Sequence, residues 1–277
     1  TLLVSKFAKT KLTVCLSGDG GDELFGGYPR YFRTNKIWEK MEKIPSILRK
    51  SIFPLLESIN NVLSDRDDFG KFQKIHLYLK SDSVIDTYKL QSQLSNYELD
   101  KFLNIEPNEL NIFTPSKLSG SEKMMFLDLM TYLPDDILTK VDRSAMNVSL
   151  ETRAPFLHHR VVEYAFNLPL EYKLCMSPYR GKIILQNLLS KYLPLEKFNR
   201  PKMGFGIPID DWLRNDLKEW AGDNLSKDQL ERLGIFKPEI IRKRFDEHLK
   251  GDKQWHYFLW KVLMFVEWQK NNSISIK

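Results

Sequence analysis

Apolar residues recur at helical spacing at the start of the chain, at Leu2, Leu3, Phe7 and Ala8, before a lysine-rich turn from Lys9 to Lys11. The five residues from Leu12 to Leu16 form a short apolar run with β-branched members, closed by glycines. That pattern reads as a buried strand, of the kind found in parallel sheets flanked by helices. No second convincing strand follows. From Tyr31 onward the periodicity is helical. Residues 35–63 predict one or two amphipathic helices broken at Pro45 and Pro54, and 71–80 and 83–92 predict two more. Residues 96–117, with Pro107 and Pro115, read as irregular. Ser119 and Glu122 have capping-box spacing for a helix over 122–133, which is apolar nearly all round and therefore expected to be buried. After Pro134, Asp135 and Asp136 are expected to cap a helix from 137 to about 149. Helices over 158–167, 180–192, 211–220 and 254–270 complete the set, without repeats or a low-complexity linker.

Composition narrows this picture. The 277 residues are 42% hydrophobic and 28% charged, enough for one large domain or two small ones and outside the range of disordered chains. Cys15 and Cys175 form no CxxC pair and no disulfide framework, so a reduced, cytoplasmic setting is expected. The net charge is +6, with the densest basic cluster at Arg242, Lys243 and Arg244. Glu239, Asp246 and Glu247 accompany it, so it reads as a solvated helix face, and no RNP, zinc-finger or KH pattern points to nucleic acid. The positive excess suits an anionic small substrate. No stretch of eighteen apolar residues is present, so no membrane span is expected. The five histidines have no ligand-like spacing, and the aromatic run from Trp255 to Trp268 reads as core packing. The opening residues form no signal peptide and include no initiator Met, so the chain is expected to be part of a longer one.

The chemistry concentrates in Ser17-Gly-Asp-Gly-Gly-Asp-Glu23, directly after the strand. Glycines let successive backbone N–H groups approach an anion closely. A helix beginning near Asp22 would add its positive end. Carboxylates among those donors make sense if one holds Mg²⁺, which takes carboxylate and phosphate oxygens together. The position, at the carboxyl end of a strand, is where α/β folds bind ligands. The alternative is a strand-to-helix turn whose glycines serve geometry and whose acids serve as caps. A calcium loop is a second alternative, but the acids lack EF-hand spacing. The sequence has neither a Walker A lysine nor a GxGxxG motif.

The stretch Leu16–Tyr28 closely resembles the second signature of the asparagine synthetase family, and further matches follow in order: 133–146, 150–157, 182–185, 200–205 and Leu259-Trp260. The resemblance covers roughly 1–35 and 120–270. It implies a predominantly α-helical part of an α/β adenine-nucleotide α-hydrolase-like (ATP-pyrophosphatase) domain. In that scheme 1–35 supplies the strand and phosphate-binding turn, 36–119 a variable helical insertion, and 120–277 the helical remainder. The implied reaction uses ATP and Mg²⁺ to convert aspartate to β-aspartyl-AMP, which glutamine-derived ammonia converts to asparagine. Ser17, Gly18, Gly20 and Gly21 would contact ATP and pyrophosphate, while Asp22 and Glu23 would bind the metal. Asp19 and Lys182 would be catalytic, Asp19 standing one methylene short of the glutamate often found there. A glutaminase domain on the same parent chain and a homodimer are the expected partners.

Other charged residues are less specific. On a helix, Asp136, Lys140, Arg143 and Asn147 share one stripe, with Asp135 and Asp142 beside it. These read either as a solvated stripe of i,i+4 pairs or, by the resemblance, as a cleft wall. Glu151 and Arg153 share a face if extended, and a salt-bridged corner is the competing reading. His158 stands where the family has an aspartate cap, so a looser helix start is expected. Lys182 begins a helix, where a lysine ordinarily faces solvent. Lys202 either acts near the site or ties down a loop. Neither a Ser-Gly-Gly-x-Asp-Ser loop nor an N-terminal cysteine nucleophile occurs, so this chain alone is expected not to make asparagine. Two other classes stay open. One is a related ATP-dependent amide-forming enzyme, such as a β-lactam synthetase relative or a tailoring amidotransferase, which often carries tyrosine at the first acid of the turn. The other is a noncatalytic helical interaction module.

Overall fold

The computed structural model describes residues 1–63, 77–91, 99–106, 112–198 and 206–272. It is mostly helical, at 65% helix. The chain divides into two compact units, one drawn from Thr1–Phe53, Leu77–Ser92 and Asn111–Pro201, the other from Pro54–His76, Gln93–Leu110 and Lys202–Lys277.

In the first unit the predicted strand is β1, Val14–Leu16, and it has a partner that the pattern did not reveal. β2, Glu151–Arg153, lies parallel to it in the register Val14 to Glu151, Cys15 to Thr152 and Leu16 to Arg153. A three-residue strand with two charges carries no apolar signature, which is why it was not expected. The ladder continues one step, with Ser17 N donating to Arg153 O at 2.8 Å. The expectation of burial fails for this strand. Val14 is 45% and Leu16 74% exposed, and β2 is the one strand paired with β1 among the described residues. A second unexpected pair, β3 (Leu174–Met176) and β4 (Tyr179–Gly181), forms an antiparallel hairpin.

The helix Pro29–Met41 begins with proline at its first position, where the missing N–H is not needed. The following helix, Ser46–Leu63, starts after Pro45 but runs through Pro54, so only the first proline interrupts. Val84–Gln91 answers the prediction for 83–92, whereas residues 71–76 lie outside the described residues. The capping box is present as read, with Ser119 and Glu122 exchanging bonds at the start of Gly120–Met130. That helix buries Met124, Met125 and Leu127, and with them Asp128. Pro134 does not reset the chain. A π-helical segment, Leu133–Leu138, carries it within its first turn and runs directly into the helix Thr139–Met146. Neither Asp135 nor Asp136 caps these helices, since the chain is already helical there.

The predicted helix over 180–192 is shorter. Arg180 belongs to β4, Lys182 adopts a left-handed backbone at φ 56°, and the helix is Ile183–Leu189. His158 caps after all: its Nδ1 accepts from the Arg160 amide at 3.3 Å, so the helix His159–Asn167 starts with its donor satisfied. The core of this unit gathers Tyr31, Tyr88, Met124, Leu127 and Leu174, with a neighbouring cluster of Leu24, Phe25 and Ala165.

The second unit packs Leu213, Leu225, Leu230, Ile241, Leu259 and Leu263 into an apolar core. The segment predicted over 211–220 is two helices, Ile209–Arg214 and Lys218–Asn224. His256–Asn272 buries Leu259, Val262, Leu263 and Val266; of the aromatic run, Trp255, Phe258, Trp260 and Phe265 pack partly buried against that core, while Tyr257 and Trp268 are exposed. Arg242 and Lys243 pair with Asp246 and Glu247 along one helix, while Arg244 stacks on Trp255 and Phe258. Among the described residues, no helix is long and apolar enough to cross a membrane.

Candidate active site at the glycine turn

The turn after β1 is shaped by close approaches that only glycine allows. Gly20 takes φ 87°, and a Cβ there would overlap Leu157. Gly21 opens a single helical turn, Gly21–Leu24, which carries Asp22 and Glu23. Gly18 faces open space, leaving the backbone approachable from outside.

Two residues that are far apart in sequence meet here. Lys182 Nζ lies 2.9 Å from Asp22 Oδ2, and both side chains are 31% exposed. The hairpin delivers the lysine. The Lys182 amide donates to Phe25 O at 2.8 Å, and a Cβ on Gly181 would collide with Gly26 O. A Cβ on Gly27 would overlap both Asp22 Oδ1 and Lys182 Cε. The second glycine pair of the turn thus makes room for the Asp22–Lys182 contact. Lys182 is not a solvent-facing helix residue, because its left-handed backbone sets it just before Ile183–Leu189.

The remaining predicted residues separate into three groups. Asp19 is half-buried, and its Oδ2 is buried without a hydrogen-bond partner among the described residues. An unpaired buried carboxylate oxygen calls for an explanation, such as backbone strain, a catalytic role, a water or an ion. Glu23 turns the other way. It is 2% exposed, accepts a bond from Tyr28 Oη at 2.7 Å, and is pushed above the usual carboxylate range chiefly by burial. Charges on the π segment and the following helix face solvent. Lys140 Nζ pairs with Asp136 Oδ2 at 2.7 Å, the two being 53% and 42% exposed. Arg143 lies near Asp142, both exposed, and Asp135 is exposed as well. Glu151 and Arg153 pair with each other across alternate positions of β2, the salt-bridged corner. Lys202 lies outside the described residues.

Sequence reasoning missed what stands behind the turn. Asp128 accepts from Arg30 Nη2 at 2.7 Å and Tyr31 Oη at 2.6 Å, and also from Tyr88 Oη. The Arg30 guanidinium lies 4.2 Å from the Tyr28 ring centroid and 4.5 Å from that of Tyr132. A lone carboxylate in the otherwise apolar stretch from Met124 to Met130 was the available signal, since such a residue is buried only with partners.

No group of three His, Cys, Asp or Glu side chains among the described residues makes a closed metal cage. Mg²⁺ does not need one, because it is commonly held by one or two carboxylates together with phosphate oxygens. Asp22, the orphaned oxygen of Asp19 and the open approach at Gly18 fit that mode.

Comparison with known proteins adds three findings. The family model described as asparagine synthase matches residues 1–270. A glutamine-hydrolyzing asparagine synthetase of Bacillus subtilis is 30% identical over 97% of this chain and 42% of its own length. A putative glutamine-hydrolyzing asparagine synthetase of Mycobacterium bovis is 29% identical over 96% of this chain and 40% of its own. The chain therefore spans about two fifths of the length of these relatives. No solved structure matches it.

Proposed function

The chain belongs to the asparagine synthase family, and from that premise we propose that it supplies the phosphate-binding wall of an ATP-dependent ligase that makes asparagine. The observation that carries this reading is the Asp22–Lys182 contact at the glycine turn, which also holds Asp19 with its unpaired oxygen. Ser17, Gly18, Gly20 and Gly21 present backbone to the ATP phosphates. Asp22 would hold Mg²⁺, whose contribution is to neutralise charge on the pyrophosphate oxygens. Glu23, being buried on Tyr28, takes no part in that binding.

The chemistry balances in two steps. An oxygen of the aspartate β-carboxylate bonds to the α-phosphorus, and the bond from that phosphorus to pyrophosphate breaks. Ammonia then bonds to the acyl carbon of β-aspartyl-AMP, loses a proton, and AMP leaves with the electrons of the carbon–oxygen bond. Negative charge develops first on pyrophosphate and then on the oxygen of the tetrahedral intermediate. Lys182, a fixed ammonium pinned through its backbone to Phe25 O, stabilises that charge. Asp19 lies near the acyl centre. Glutamine supplies the ammonia through a glutaminase domain of the same polypeptide, in a cytoplasmic homodimer. The similarity to glutamine-hydrolyzing asparagine synthetases supports glutamine as the source of the ammonia.

The test is aspartate-dependent exchange of labelled pyrophosphate into ATP by the intact protein. Exchange with aspartate, and none without it, is expected. Exchange that requires a different carboxylic acid would make the protein a related amide-forming ligase. Absence of Mg²⁺–ATP binding at millimolar concentration would leave a noncatalytic helical module.

A further inference from the structure

We propose that Asp128, acting through Arg30 and Tyr28, is a positioning residue for the Asp22–Lys182 site. The claim rests on the ligase reading only for its activity readout. Asp128 is 1% exposed in a helix that otherwise buries Met124, Met125 and Leu127. Its carboxylate is satisfied by Arg30, Tyr31 and Tyr88. An apolar side chain of similar size could fill this space, so packing alone does not call for a charged group there. A matched set of donors adds a fixed orientation, because it has one geometry.

That orientation reaches the site through two contacts. Asp128 holds the Arg30 guanidinium, which lies 4.2 Å from the centroid of the Tyr28 ring. Tyr28 packs edge-on against both Tyr31 and Tyr132. Its hydroxyl donates to Glu23 at 2.7 Å, holding that carboxylate in the interior. Successive side chains on a helical turn diverge by about 100°. Fixing Glu23 inward therefore turns its neighbour Asp22 outward, toward Lys182. The buried acid of the turn works as an anchor, and the exposed acid as the working group.

Two variants of the intact protein separate this from simple structural support. Tyr28→Phe keeps the ring over Arg30 and removes the hydroxyl that holds Glu23. Asp128→Asn keeps the shape and removes the charge that holds Arg30. Both are compared with Leu230→Ala, which loosens the apolar core of the other unit. The readouts are thermal unfolding, calorimetric titration of Mg²⁺–ATP at several Mg²⁺ concentrations, and pyrophosphate exchange. For Tyr28→Phe the half-saturating Mg²⁺ is expected to rise, and kcat for exchange to fall, each by about tenfold, as for other partners that orient a metal ligand. Asp128→Asn should do at least as much. Leu230→Ala should lower Tm and leave the Mg²⁺ dependence alone. Wild-type Mg²⁺ dependence in both site-side variants, or an equal shift in Leu230→Ala, overturns the proposal. If Asp128→Asn does not fold, Tyr28→Phe decides alone. Exchange missing in the wild type refutes the ligase reading, and the Mg²⁺–ATP titration still decides the positioning claim. A wild type that binds no Mg²⁺–ATP refutes both.

Discussion

The two units bury polar groups in different ways. In the first, the buried Asp128 is enclosed by Arg30, Tyr31 and Tyr88, and the buried Lys173 pairs with Glu122 and with Ala165 O. In the second, leucine, isoleucine, valine and phenylalanine side chains supply the core, and the buried polar residues include Asn224 and His248. Apolar packing accepts many arrangements of nearly equal energy. A satisfied polar network accepts one. The first unit is therefore where a small substitution should be felt as lost function, and the second where it should be felt as lost stability.

The largest expected effect lies in the first unit. Lys182→Ala removes the ammonium at the turn and leaves the fold without a cavity, since the side chain is partly exposed. Pyrophosphate exchange should fall by about 10²–10³-fold, the range for deleting one preorganised group that stabilises transition-state charge. Tm should change little. A loss below tenfold would mean that Lys182 neutralises Asp22 and does no more.

The second unit gives an effect on stability alone. His248 is fully buried, 3.8 Å from Asp210 Oδ1, with Arg214 and His256 also facing Asp210. Burial first, and the Arg214 charge second, hold the His248 imidazole below its ordinary pKa of 6.5. A depressed folded-state pKa means that the unfolded chain binds the proton more readily. The stability is present above about pH 6.5 and is lost as pH falls through the folded value. The protection factors at Leu259 to Val266, which are exchange rates corrected for the pH dependence of intrinsic exchange, should fall below pH 6 in the wild type, and His248→Gln should flatten that slope. Equal acid sensitivity in both proteins would assign the effect to another group.

How much of this was legible beforehand follows from the kind of signal each part leaves. The turn from Ser17 to Glu23 could be read as a turn because its glycines sit where a side chain does not fit, as at Gly20 with φ 87° against Leu157. The capping box could be read because Ser119 and Glu122 act over three residues. β2 could not, since its pairing with β1 is decided by residues more than a hundred positions away. Lys182 illustrates both sides. Its helix was foreseen, but its left-handed backbone and its contact with Asp22 depend on the hairpin and on Gly26 and Gly27. Adjacency in sequence does not tell Asp22 from Glu23. Only the position of Tyr28 separates an inward acid from an outward one.

The smallest effect tests where the site ends. Lys140 and Asp136 form an exposed i,i+4 pair, acid N-terminal to base, on the helix that the family resemblance places along a cleft. Such a pair stabilises a helix by about 0.2–0.5 kcal/mol, less at high salt. Lys140→Ala should therefore lower stability by no more than that, and exchange should stay within about twofold, which is the same free energy expressed as a ratio. A tenfold fall in exchange with Tm unmoved would give the opposite answer. It would make the charged stripe a second wall facing the glycine turn, with Lys140 released from Asp136 to meet a phosphate. The comparison between the two units would then need revising, because an exposed ion pair, and not only a buried network, would set the function of the first.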